Sequence, residues 1–409
     1  MNILLINHYA GSLRHGMEYR PFYLAREWVR LGHRVRIVAS SQSHIRAQAP
    51  LLGGQARLDE TIDGVEYRWI ATPAYRGNGA ARVLNMFSFV AALYAQAGKL
   101  AREFKADVVI ASSTYPLDIW PAHHIARRSG ARLLFELHDL WPLSPMELGG
   151  YSKWHPFIML LQAAENFACR KADAIVSILP KVREHLEQHG MAPHKLHIVP
   201  NGADPSEWLA DSPALPGLAG ARLEALRRQG KFIVGYAGTH GVANALDTLL
   251  HAARLAADPR IAFVLVGGGP EKEKLQRMAG DMKLSNVHFF DPVPKQQVPA
   301  LLRSFDVAYI GWQRQKLYRY GIAPNKLIDY MMAGCAILHS VEAGNDPVAE
   351  AGCGLTVAPQ DPQAVSRGLL ALLVLGASER AALGQRGRAF AMANLSYPVL
   401  GQRFLQACA

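Results

Sequence analysis

A doubled rhythm constrains this chain more than any other feature: short runs rich in Val and Ile alternate with helix-length segments, twice over. In the first half the runs are 2–7, 35–39, 65–70, 108–111, 132–136, 174–178 and 197–199, separated by helical patterns such as 20–31, 82–104 and 156–171. After Pro200-Asn201-Gly202 and a Pro- and Gly-rich stretch over 211–220 that reads as a linker, a second series follows. Its runs are 232–237, 261–266, 287–290, 307–310, 336–339 and 355–357. Strands alternating with helices pack as a parallel sheet covered on both faces. The expectation is therefore an α/β protein of two Rossmann-like, doubly wound domains, 1–203 and 204–396, with a terminal helix in 397–409 that packs back on the first. Ligands of open α/β sheets bind at the carboxyl ends of the strands, so two such sheets facing one another would enclose a central cleft.

Half of the 409 residues are hydrophobic, 19% are charged and 9% aromatic. That balance excludes a disordered chain and a collagen-like fibre, and the length exceeds a single ordinary core. The four cysteines, Cys169, Cys335, Cys353 and Cys408, form no C-x-x-C pair and read as buried thiols in a reducing compartment. No basic leader precedes the first run, and the longest uncharged stretch, 83–98, falls short of a bilayer span. A cytoplasmic protein without a transmembrane helix is expected. Lys and Arg outnumber Asp and Glu by 44 to 33, a net charge of +11, and +7 of it lies before residue 204. Such a surface attracts polyphosphates, nucleic acid or an anionic membrane, and charge alone does not choose among them.

The segment 318–336 carries the most specific chemistry. Gly321 permits a tight turn, and Pro324 and Asn325 suit the start of a helix. Amides at that start, from Ile322 and Ala323 onward, would face a diphosphate, where exposed N–H groups and the helix dipole favour anions. Lys326 adds a full positive charge, and Asp329, one turn on, can accept hydrogen bonds from two neighbouring hydroxyls such as those of a ribose. The same spacing also fits a surface ion pair between Lys326 and Asp329.

This segment resembles the nucleotide-sugar signature of retaining glycosyltransferases of family 4, which have the GT-B fold. The family pattern has two acidic residues separated by seven; Asp329 matches the second, and Gly321 stands where the first would be. The form Gly-Ile-Ala-Pro-Asn-Lys-Leu-Ile-Asp-Tyr-Met is similar to a bacterial O-antigen and capsule subgroup that includes N-acetyl-L-fucosamine transferases. Gly238-Thr239-His240 resembles the first turn of the family's second domain; Thr239 and Asn244 occupy positions where many members place Arg and Lys, leaving Lys326 and Arg319 to meet the diphosphate. Gly267 lies in the next strand-end loop, and Val293 in the segment whose backbone reads the base. In the first half, His138-Asp139 resembles the family's His-Asp-x-x-Pro segment, in which the His approaches the donor sugar. Gly11, Gly16, Glu18 and Arg20 form the first loop, where the resemblance implies acceptor binding and Arg20 can meet a phosphate.

The resemblance implies a hexosyl-type transferase that moves a sugar, in this subgroup an N-acetylated amino sugar, from a UDP-linked donor to a lipid-linked glycan with retention. Front-face substitution needs no enzyme nucleophile, only positioning and stabilisation of the leaving diphosphate. The chain lacks Asp-x-Asp, so neither a metal nor another cofactor is expected, and no nucleic-acid partner. His185 and His189 stand at zinc-compatible spacing but show no third ligand in sequence and read as a solvated helix face. The apolar and basic stretches 82–105 and 152–158 read either as core-facing helices or as a peripheral contact with the inner face of an anionic membrane. Two other readings stay open: a nucleotide-sugar epimerase or hydrolase on the same fold, and a two-domain binding protein without chemistry.

Overall fold

The computed structural model describes residues 1–77, 79–209, 212–215 and 217–409, in two compact units. Unit 1 holds Met1–Pro200 and Tyr397–Ala409; unit 2 holds Asn201–Ser396. Within the stretch read as a linker, Asp211 and Pro216 lie outside the described residues, and Gly217–Arg228 is a helix that buries Leu223 and Leu226. That helix corrects the linker reading: the apolar Leu spacing outweighs the Gly and Pro around it.

Unit 1 is built on eight strands: β1 (Asn2–Ile6), β2 (Arg34–Ser40), β3 (Arg57–Ile62), β4 (Val65–Ile70), β5 (Val108–Ala111), β6 (Arg132–Leu137), β7 (Ala174–Ser177) and β8 (Leu196–Ile198). Their order is β3-β4-β2-β1-β5-β6-β7-β8. Ile3, Leu4, Leu5 and Ile6 are fully buried, as expected of a central strand covered on both faces. All pairs are parallel except β3 with β4, where Leu58 stands opposite Trp69. β3 is absent from the sequence reading because Arg57, Asp59 and Glu60 break its apolar pattern. It is an edge strand that Arg68 pins through Asp59 at 2.7 Å. Helix Tyr397–Cys408 completes this unit: Tyr397 stacks on Tyr23 at 4.8 Å, and the Trp28 indole donates to the Gly401 carbonyl at 3.1 Å.

Unit 2 carries β9 (Phe232–Ala237), β10 (Ile261–Val266), β11 (Val287–Phe290), β12 (Val307–Gly311), β13 (Ala336–Ser340) and β14 (Gly354–Val357). All pairs are parallel, in the order β11-β10-β9-β12-β13-β14. In each sheet the winding reverses once, between β1 and β5 in unit 1 and between β9 and β12 in unit 2. Loops diverge at such a switch point and leave a crevice above the strand ends. The cysteines are all buried and unpaired. Among the described residues no helix is long and apolar enough to cross a membrane.

Candidate functional site

At the unit 2 switch point, β9 ends in a turn whose chain approaches its neighbour very closely. A Cβ on Gly267 would stand 1.9 Å from the Gly238 carbonyl oxygen, so only glycine fits where the loop after β10 crosses the loop after β9. His240 is fully buried between these loops, and neither ring nitrogen has a hydrogen-bond partner among the described residues. Burial, with Lys272 and Lys326 adding repulsion, lowers its pKa to about 4, so the ring is neutral at physiological pH.

Lys326 reaches this same turn from helix Asn325–Ala333. Its ammonium donates to the Tyr236 hydroxyl at 2.8 Å and to Asn244 Oδ1 at 2.5 Å, and lies 4.6 Å from the centre of the Tyr236 ring. No carboxylate pairs with it among the described residues, and burial lowers its pKa to about 8. A desolvated cation held only by neutral oxygens is costly unless an anion completes it.

The loop leading into that helix is braced from both sides. Gly321 adopts φ of +96° to end the turn Lys316–Tyr320. The Asn345 amide group clasps Ile322, accepting from its N–H at 2.8 Å and donating to its carbonyl at 3.1 Å. Asn201 holds the Ala323 carbonyl at 2.8 Å. The Ile322 amide is thus already spent on Asn345, which corrects its expected role as an anion donor. The amides of Asn325 and Lys326, beyond Pro324, belong to the first helical turn and have no intrahelical partner. Asp329 is half-buried with no hydrogen bond to its carboxyl among the described residues. Burial raises its pKa to about 7, with Lys295 opposing and Glu207 adding to the rise. Val293 packs against the unit 2 core. Arg319, expected beside Lys326, is exposed and donates to the Lys316 carbonyl at 2.7 Å and to the Tyr320 hydroxyl at 3.1 Å; its own turn captures it.

In unit 1 the polar groups also gather at strand ends. Ser112, just past β5, donates to Glu136 Oε2 at 2.6 Å, and His138 Nε2 lies 3.0 Å from the Ser112 hydroxyl. Arg20 Nε donates to Glu136 Oε1 at 2.9 Å, and its Nη2 to the Val199 carbonyl at 2.8 Å. Burial would raise the Glu136 carboxyl, but Arg20, His138 and Ser112 outweigh it and hold the pKa at about 2. The Arg20 guanidinium is spent on Glu136 and on the Val199 and Pro200 carbonyls, which corrects its expected phosphate contact: it is a strut tying the first helix to β6 and the end of β8.

The neighbouring loop is likewise self-contained. A Cβ on Gly11 would collide with the Gly16 carbonyl at 1.9 Å, and Gly16 closes onto Ser12, so these glycines serve the loop's own closure. Glu18 is half-buried, its amide held by the Tyr9 carbonyl. Asp139 accepts from the Leu140 amide at 2.8 Å and the Ser144 hydroxyl at 2.6 Å, bracing a turn rather than presenting a free carboxylate. His138 is the member of this group that keeps a partly exposed side chain beside a buried charge pair. Thr239 contributes its carbonyl, which accepts from Tyr236 and Asn244 and so shapes the Lys326 pocket.

Comparison with known proteins agrees with this architecture. Residues 15–202 match the glycosyl transferase 4-like domain, and residues 231–374 match the glycosyl transferases group 1 domain. Over 262 residues the chain is 25% identical to WcaI of Escherichia coli strain K12, named a candidate colanic acid biosynthesis glycosyl transferase; the match takes in 61% of this chain and 62% of WcaI. It is 22% identical over 292 residues to WbjE of Pseudomonas aeruginosa, named a candidate glycosyltransferase, across 71% of this chain and 70% of WbjE. HepE of Anabaena, solved with UDP, shares the fold over 99% of both chains, with a TM-score of 0.68 at 14% identity. Two glycosyltransferase domains matched in chain order, on two parallel-sheet units of this topology, place the chain in family 4 of the glycosyltransferases, with the GT-B fold.

Proposed function

We propose that this protein transfers a sugar from a UDP-linked donor, with retention and without a catalytic metal, to a lipid-linked intermediate of a bacterial surface polysaccharide. The observation that carries the reading is the Lys326 ammonium, half-buried at the unit 2 switch point with two neutral oxygens and, among the described residues, no carboxylate. A diphosphate completes such a site, and it would be the leaving group of the transfer. Lys326 and the first-turn amides stabilise the negative charge that grows on the diphosphate as the glycosidic bond breaks. The departing oxygen takes the acceptor's proton, so no protein nucleophile is required.

Asp329 accepts the ribose hydroxyls, His240 lends a neutral ring to the nucleotide, and the backbone at Val293 reads the base. His138 is assigned to the transferred sugar, an N-acetylated amino sugar in the subgroup that the 321–331 segment resembles. The polysaccharide reading is supported by the name of WcaI, and the UDP reading by the complex of HepE. Contact with an anionic membrane at the acceptor step is supported by Leu84 and Trp154, 60% and 71% exposed, with Lys153 beside Trp154 at 5.1 Å.

Calorimetric titration of wild type and Asp329→Ala with UDP, GDP and ADP, without added metal, tests the nucleotide site. Preferential UDP binding, weakened by about 1–3 kcal/mol in the variant, is expected. A folded protein that binds none of the three would overturn the reading in favour of a binding protein for another ligand.

A further inference from the structure

Outside the switch points, the helices flanking β7 bring together three side chains that sequence spacing leaves apart. Glu165, fully buried on helix Pro156–Lys171, directs its carboxylate at His185, within helix Arg183–Gln188, and at His189, just beyond that helix. His185 Nε2 stands 2.8 Å from Glu165 Oε1, and His189 Nε2 stands 3.9 Å from Glu165 Oε2. One ligand atom from each residue lies within 4.8 Å of the others. The third ligand missing from the sequence reading is therefore supplied by the fold, and the solvated-face reading of this pair is corrected: His185 is buried and His189 half-buried.

The hydrogen bonds around the cluster leave one acceptor over. Gln162 Nε2 donates to Glu165 Oε2 at 2.8 Å and to Asn166 Oδ1 at 2.9 Å, which uses both its hydrogens. His189 Nδ1 lies 2.9 Å from Asn166 Oδ1 and 3.0 Å from Gln162 Nε2; with both Gln162 hydrogens given to Glu165 and Asn166, Nδ1 donates its own hydrogen to Asn166. That tautomer turns the Nε2 lone pair toward Glu165 Oε2, which is itself an acceptor, at a distance too long for a hydrogen bond. Asn166 orients the imidazole through its far nitrogen and Gln162 orients the carboxylate, the way outer-shell partners orient the ligands of a metal.

We propose that Glu165, His185 and His189 bind a divalent transition-metal ion, zinc, as a pin between the two helices, with water completing the coordination on the open His189 side. Two imidazoles and one carboxylate are a borderline donor set that suits zinc over magnesium or calcium. The ion takes the place of the hydrogen that His185 Nε2 now directs at Glu165. This centre is separate from the transfer chemistry, which is proposed to need no metal.

The test uses untagged full-length protein. Metal analysis after dialysis against zinc should find one equivalent, and cobalt in its place should give the visible absorption of a low-coordinate centre. Zinc at a hundredfold excess over its dissociation constant should raise the melting temperature by about 5 °C, reversed by chelator. His189→Ala should lose the bound equivalent. Asn166→Ala keeps all three ligands and should weaken zinc binding about tenfold. Wild type that holds no zinc and melts alike with zinc and chelator overturns the proposal, as does a His189→Ala variant that keeps its equivalent. The cobalt spectrum of wild type decides the matter if a variant does not fold.

Discussion

The Lys326 ammonium sits 2.5 Å from Asn244 Oδ1, so a helix lysine occupies the place where the preceding loop carries no cation of its own. Its depressed pKa of about 8 records the cost of that position. Lys326→Met should weaken UDP binding by about 1.5–3 kcal/mol, the range for a hydrogen bond to a charged group, while the unliganded variant melts at or above the wild-type temperature. For wild type, a lysine pKa lowered on folding means that the unfolded chain binds more protons between about pH 8 and 10.5. The contribution of Lys326 to stability therefore rises over that window. UDP affinity should fall over the same window, and titration calorimetry at pH 7 and pH 9.5 measures it.

Asp329 is shifted the opposite way for its type. A carboxyl raised from 3.8 to about 7 by burial keeps its proton in the folded state where the unfolded chain has lost it. Stability from this group is present below about pH 4 and is lost as pH rises to about 7. Asp329→Asn should melt higher than wild type at pH 8 yet bind UDP less tightly, because the ionised carboxylate is the better acceptor for two hydroxyls. Thermal scans at pH 5 and pH 8, paired with UDP titrations, separate the two effects.

Arg20 and Glu136 make a buried ion pair, with Arg20 2% and Glu136 1% exposed. Removing one partner strands the other, so Arg20→Met should destabilise by about 3–5 kcal/mol. Arg20→Met combined with Glu136→Gln should recover part of that loss. Urea unfolding of the two variants checks the order. The depressed Glu136 pKa sets the acid limit: its contribution is present above the ordinary glutamate range near 4.5 and is lost as pH falls toward about 2.

What could be read from sequence was what is local. Buried central strands announce themselves through runs such as Ile3–Ile6, and Lys326 and Asp329 stand three residues apart on one helix. β3 escaped because its charged residues hide the alternation, although Asp63-Gly64, both at positive φ, is a recognisable hairpin turn. Arg20 was misread because its partner Glu136 lies 116 residues away, and a buried arginine looks in sequence like an exposed one. Glu165 was missed for the same reason: only the packing of two helices on one sheet brings it to His185. Asn345, which clasps Ile322, carries no signal beyond being a polar residue in a loop.

His240 provides the sharpest test of the nucleotide site, because its two ring nitrogens are buried without partners among the described residues. A site with no ligand gains nothing from such a residue: replacing it by Phe removes two unsatisfied polar atoms and should leave melting unchanged or higher. If the ring instead hydrogen-bonds a bound nucleotide, His240→Phe should cost about tenfold in UDP affinity, and His240→Gln, which keeps a polar group, should cost less. With a pKa of about 4 the ring stays neutral from pH 5.5 to 9, so this loss should not vary with pH over that range. Equal UDP affinity in wild type and His240→Phe would assign the histidine to packing alone and leave the nucleotide to Lys326, Asp329 and the helix amides.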